Sequence, residues 1–170
     1  LLPGSGTNYN VSDTIVVAST VTDNVGVDYV YANITYPNGT TQIIQLLQNA
    51  STSYYNNTFT IPALIGQYNI TFVANDTSNN LNNTETTFFV GNDVVNPLVV
   101  DLNPTSGTNY NVSDTITITA NATDDVGVTY VYASILYPNT TTENVVLIKD
   151  GSTDKYNNTF TAPNNIGTYT

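Results

Sequence analysis

The sequence predicts an all-β protein, two tandem copies of one two-layered sandwich with the second copy truncated. Three observations carry that prediction. Gly6-Thr7-Asn8-Tyr9-Asn10-Val11-Ser12-Asp13-Thr14 returns unchanged as Gly107 to Thr115, an offset of 101 residues. The same offset maps Tyr55-Asn56-Asn57-Thr58-Phe59-Thr60 onto Tyr156 to Thr161, and residues 1–69 align with 102–170 without a gap at 41 identities in 69 positions. A constant offset means equal loop lengths, hence one fold made twice. Short β-rich stretches then recur every 10–15 residues between Gly, Pro, Asn and Asp, the spacing of a sandwich. Within those stretches apolar and polar residues alternate, and no segment has a useful helical period.

Seven strands per module follow, and the first, 97–102, is seen once. The second, 14–22, turns Ile15, Val17, Ser19 and Val21 to one face and Thr14, Val16, Ala18 and Thr20 to the other. Its copy does the same with Ile116, Ile118, Ala120 and Ala122. The third, 27–36, buries Val30, Ala32, Ile34 and Tyr36 after a turn at Asp23-Asn24-Val25-Gly26. Strands at 41–48 and 54–61 come next. The sixth, 67–75, buries Tyr68, Ile70, Phe72 and Ala74, and Gly66-Gln67-Tyr68 at its start has the pattern of a tyrosine corner. The last strand is 83–90.

These elements divide the chain into repeat 1 at 1–91 with its first strand missing, a linker at 92–97, and repeat 2 at 98–170 with its last two strands missing or supplied elsewhere. A longer array is the expected context, and strands donated by a neighbouring chain are the alternative. The linker is short and holds Val94, Val95 and Pro97, which predicts a semi-rigid connection.

Composition points outside the cell. There is no Cys, Met, Trp or His, and 2 basic residues stand against 13 acidic ones for a net charge of −11. That balance argues against nucleic acid and anionic membrane surfaces as partners. Only 9% of residues are charged, so hydration falls to 26 Asn and 40 Ser plus Thr. Without His or Cys the usual triads and zinc sites are excluded. The one adjacent acid pair, Asp124-Asp125, is Asp23-Asn24 in the other copy. No enzyme activity is expected.

Thr-Asp-Asp-Val-Gly-Val with alternating Tyr and Val, Tyr-Asn-Asn-Thr-Phe-Thr, Gly-x-Tyr and Ala74-Asn75-Asp76-x4-Leu81 resemble the Ig-like repeats, of fibronectin III or bacterial Ig-like type, of microbial surface proteins. The Asn/Thr-rich stretch 33–41 is similar to modules of archaeal S-layer, adhesin and filament proteins. The resemblance implies tandem Ig-like β-sandwiches and an extracellular, cell-surface location. It implies a structural repeat of a filament, S-layer-like lattice or stalk that self-associates. An adhesin module recognising a surface glycan or protein, stabilised by calcium, is the alternative.

Candidate sites lie on surfaces and turns. Asn-x-Ser/Thr sequons stand at Asn10, Asn33, Asn38, Asn49, Asn56, Asn69, Asn75, Asn82, Asn111, Asn121, Asn139 and Asn157, which is 12 where this composition gives roughly six by chance. Strand parity turns Asn33, Asn56, Asn69, Asn75, Asn121 and Asn157 outward, and the rest fall in loops or turns. They read as N-linked glycan acceptors, or as a merely polar β surface. Tyr29 and Tyr31, repeated as Tyr130 and Tyr132, form an outward aromatic strip suited to an interface, to cross-strand stabilisation or to a sugar platform. Asp23, Asp76, Asp93 and Asp124 are candidate Ca²⁺ ligands; their other reading is as turn formers, and no Asp-x-Asp-x-Asp ladder accompanies them.

Overall fold

The computed structural model describes residues 1–170 as strands and turns only. The strands are β1 (Thr7–Asn10), β2 (Thr14–Thr20), β3 (Val27–Thr35), β4 (Thr41–Gln48), β5 (Tyr54–Thr60), β6 (Gly66–Asp76), β7 (Leu81–Asn82) and β8 (Thr86–Asn92). They continue as β9 (Leu98–Asn103), β10 (Thr115–Thr123), β11 (Val131–Leu136), β12 (Thr142–Lys149) and β13 (Lys155–Thr161). Two compact units result, Leu1–Val94 and Val95–Thr170. Each is an Ig-like β-sandwich.

In unit 1 the strand order is β1-β8-β6-β3-β4-β5-β2, with β7 added beside β6. The two layers share β4. Residues Thr41 to Leu46 pair with β3, whereas Leu47 and Gln48 pair with β5. Between the layers lie Ile15 and Val17 of β2, Val30, Ala32 and Ile34 of β3, Phe59 of β5, Tyr68 and Ile70 of β6 and Phe89 of β8, all buried. Each large side chain so buried contributes about 1.5–3 kcal/mol over its exposed state. The alternation predicted for the second, third and sixth strands is therefore the core pattern.

Two strands escape the sequence reading. β1 pairs parallel to β8, Thr7 with Phe89 through Asn10 with Asn92. The two-residue β7 pairs with Ala74 and Asn75. Ahead of them, Leu2 exchanges backbone hydrogen bonds of 2.7 and 3.0 Å with Ala18. Ala18, outward by parity, is fully buried there. The equivalent contact in unit 2 is Asn103 with Thr119, part of the longer β9–β10 ladder, whose register shifts between Thr119 and Asn121.

Unit 2 has the order β11-β12-β13-β10-β9 around Ile116, Ile118, Val131, Ile135, Leu147 and Phe160. Its β12 also changes partner, pairing with β11 through Leu147 and with β13 at Ile148 and Lys149. The tyrosine corner forms in both units. Tyr68 donates from its hydroxyl to the Leu64 carbonyl at 2.7 Å, and Tyr169 to the Asn165 carbonyl at 2.6 Å. Gly66 opens the corner at φ 131°, a backbone conformation that side chains resist, and an added β-carbon would stand 3.0 Å from the Pro37 ring.

Candidate functional site

The outer face of β3 carries the aromatic strip in unit 1. Tyr29 and Tyr31 are two residues apart and so share one face; their rings lie 4.8 Å apart at 37°. Opposite Tyr31 are Gln45 on β4 and Val73 on β6, and opposite Tyr29 is Asn75. Flanked on both sides, the two rings are half-buried. In unit 2, Tyr130 and Tyr132 repeat the arrangement at 5.4 Å and 36°. They are 59% and 49% exposed, and Val146, Ile148 and Leu136 are exposed with them. Both units thus hold the same tyrosine pair outward.

The acidic candidates have local work. Asp23 Oδ1 accepts from the Val25 and Gly26 amides at 2.7 and 2.8 Å, and Asp124 Oδ1 from Val126 and Gly127 at 3.0 and 2.9 Å. This is the Asx turn that lets the chain reverse between the second and third strands. Asp76 Oδ1 accepts from the Ser78 and Asn80 amides, and its Oδ2 accepts from Asn80 Nδ2 at 2.7 Å. The side-chain bond from Asn80, helped by the backbone bonds, holds the Asp76 carboxyl below its ordinary value. Asp93 follows the end of β8. The Asp23 and Asp76 turns meet through a 3.0 Å bond from the Thr77 amide to the Gly26 carbonyl. Inside neither unit do three carboxylates converge to ligand distance.

The sequons separate into distinct environments. Asn38 and Asn139 are exposed in turns and Asn82 at the end of β7, and each accepts bonds on Oδ1 from the amide and hydroxyl of its own sequon threonine. Asn49 and Asn111 are exposed; Asn10 is half-buried and accepts from the Val94 amide at 3.1 Å. Asn33, Asn56, Asn69, Asn121 and Asn157 sit inside strand ladders. Asn75, outward by parity, is only 4% exposed and donates from Nδ2 to Asn79. Its place under the β6–β7 turn was not readable from the alternation.

Sequence reasoning also passed over Asn57 and Asn158, the residues after two sequon asparagines. Asn57 Nδ2 donates to the Gln45 carbonyl at 2.8 Å, and Asn158 Nδ2 to the Val146 carbonyl at 2.7 Å. Each therefore ties down a carbonyl beside the point where β4 or β12 changes partner. The signal was the unbroken Asn-Asn-Thr in both repeats, which a glycan acceptor alone does not require.

Two surface depressions, of about 260 and 340 Å³, are lined by Leu2, Tyr9 and Asp13–Val16, and by Leu47–Ala50 and Asn56–Thr58. Asp13 is their only carboxylate, and it accepts from the Asn10 amide at 3.0 Å. The second depression is lined by no titratable side chain.

Residues 97–170 match the family model described as the bacterial Ig domain. That match covers the second unit. Among solved structures, the chain is similar to the fibronectin(III)-like modules of Clostridium thermocellum CbhA, with 19% identity over 95% of this chain and 76% of that one and a TM-score of 0.42. It is also similar to a tetra-tandem repeat from the extending region of a large adhesion protein, with 18% identity over 91% of this chain and 38% of that one and a TM-score of 0.46. A search of curated proteins finds no match.

Proposed function

We propose that this chain is a non-catalytic structural repeat of an extracellular, glycosylated microbial surface assembly: a filament, S-layer-like lattice or stalk. The observation that carries the reading is the same outward tyrosine pair at equivalent positions of both sandwich units, on β3 in unit 1 and at the start of β11 in unit 2. Equivalent tyrosine pairs repeated along one chain suit contacts that repeat along an assembly, and tyrosine anchors are favoured at such contacts because they bury large area at small entropic cost. Hydration by Asn, Ser and Thr, with few charges and no Cys, fits an exposed surface module. The second reading is a binding module, favoured by the accessible rings of Tyr130 and Tyr132, which could stack on a sugar. Calcium stabilisation belongs with that second reading.

Sedimentation across a concentration series, followed by electron microscopy, tests the scaffold. Regular fibres or sheets are expected, and Tyr130→Ser with Tyr132→Ser should shift the chain toward monomer. A chain that stays monomeric at every concentration sinks the scaffold reading. Ligand capture on a glycan array, lost in Tyr29→Ala/Tyr31→Ala, would replace it with the binding module.

A further inference from the structure

We propose that the exposed sequons at Asn38 and Asn139 in turns and at Asn82 at the end of β7 are the N-glycan acceptors of the folded chain, and that the sequons at Asn75 and Asn121 are closed. The inference rests on the extracellular reading above and narrows its glycan coat to particular amides.

The chemistry sets the requirement. In transfer, the bond between C1 of a lipid-pyrophosphate-linked sugar and its phosphate oxygen breaks, and a C1–Nδ2 bond forms. One amide proton leaves to a base of the transferase, and lipid pyrophosphate departs. A carboxamide nitrogen is a poor nucleophile because its lone pair is shared with the carbonyl. The transferase must therefore grip the carboxamide together with the hydroxyl two residues on, which demands a tripeptide that protrudes and an Nδ2 with no other bond.

Asn38, Asn82 and Asn139 meet both demands. Asn38 and Asn139 lie in the turns joining β3 to β4 and β11 to β12, and Asn82 lies at the end of the short strand β7. The threonine hydroxyls of Thr40, Thr84 and Thr141 sit 2.7, 2.9 and 2.7 Å from the carboxamide oxygens of their own sequons. The threonine amides lie 3.0, 3.0 and 3.1 Å from the same oxygens. Oxygen is thus the atom each sequon uses, and on these exposed residues Nδ2 makes no hydrogen bond within the chain.

The closed sequons spend the nitrogen instead. Asn75 is nine-tenths buried, and its Nδ2 donates to Asn79 Oδ1 at 3.2 Å. Asn121 donates from Nδ2 to the Asp101 carboxylate at 2.6 Å, a charge-assisted bond. Its backbone is also held between β9 and β13. A glycan on either would have to break these bonds and lift the residue from its sheet.

The folded 170-residue chain, incubated with a purified single-subunit oligosaccharyltransferase and a lipid-linked oligosaccharide, tests this by glycopeptide mass spectrometry. A synthetic peptide spanning Tyr36 to Gln42 establishes that the transferase is active. Glycan is expected at Asn38, Asn82 and Asn139 and absent from Asn75 and Asn121. In urea, the latter two should become acceptors. Modification of folded Asn75 or Asn121 at the rate of the three proposed acceptors overturns the proposal, as does failure at those three sites while the peptide is modified. Fibres formed by a chain whose three acceptor sites stay bare would refute these acceptors and leave the scaffold standing; occupied acceptor sites on a permanent monomer would do the reverse.

Discussion

The Tyr68 ring stacks on Phe89 at 4.7 Å and 5°, the most parallel aromatic contact in the chain. Its hydroxyl meanwhile closes the corner on the Leu64 carbonyl at 2.7 Å. One residue thus ties the neighbouring strands β6 and β8 to a turn, and burial raises its phenol pKa, with Tyr36 adding to the effect.

Tyr68→Phe keeps the stack and loses the corner bond, so unit 1 should lose about 1–2 kcal/mol in urea unfolding followed by circular dichroism. Tyr156→Phe is the opposite case. The Tyr156 hydroxyl is buried with no protein partner, so its removal should be neutral or stabilise unit 2 by up to about 1 kcal/mol. Equal losses from both substitutions would contradict the corner as the source of stability.

Gly91 lies against the same ring. A β-carbon there would stand 3.0 Å from Tyr68 Cε2 and 3.3 Å from the Leu64 carbonyl oxygen. Gly91→Ala should therefore cost about 1–3 kcal/mol through overpacking. Thermal unfolding provides the measurement, and an unchanged melting temperature would mean the corner yields freely.

Adjacent asparagines should behave differently. Asn57→Ala removes the bridge to the Gln45 carbonyl and a 2.7 Å bond from the Thr58 amide, at about 1–3 kcal/mol. Asn56→Ala, one residue away and without such a bridge, should stay within about 0.5 kcal/mol of the parent. Hydrogen exchange at the β4–β5 junction should accelerate only in the first variant.

Tyr36 and Tyr137 occupy equivalent positions but donate to different partners, Gln42 and Glu143. The Glu143 carboxylate, first through the hydrogen bond and then with desolvation, pushes the Tyr137 phenol up to about 12. Burial raises Tyr36 without a carboxylate. A phenol held above its unfolded value binds its proton more tightly in the folded state. Its stabilising contribution is complete below about pH 10 and is lost as pH rises toward 12. Glu143→Gln should lower the Tyr137 titration midpoint, and Gln42→Glu should raise that of Tyr36, both read by phenolate absorbance. Unmoved midpoints would dissociate the shift from this bond.

Much of the fold was legible because alternation and turn chemistry are local. Seven strand positions, the inner faces of β2, β3 and β6 and the corner at Gly66–Tyr68 all follow from residues within a few places of one another. β1 was not legible, since Thr7–Asn10 is polar and becomes a strand only where β8 offers an edge beside it. The same motif at Thr108–Asn111 forms no strand. The candidate surface divided likewise. The tyrosine pairs were readable from parity, but the burial of Asn75 and the bridging roles of Asn57 and Asn158 were not.

By itself the sequence determined that one sandwich is made twice, which faces of β2, β3 and β6 turn inward and where the chain turns, since these depend on local period and turn-forming residues. Tertiary structure alone decided where β4 and β12 change layers, and which asparagine amides are spent on the fold and which stay open to solvent. Those outcomes depend on hydrogen-bond partners distant in the sequence, Gln45 for Asn57 and Asp101 for Asn121, and no local pattern encodes which distant group will be there.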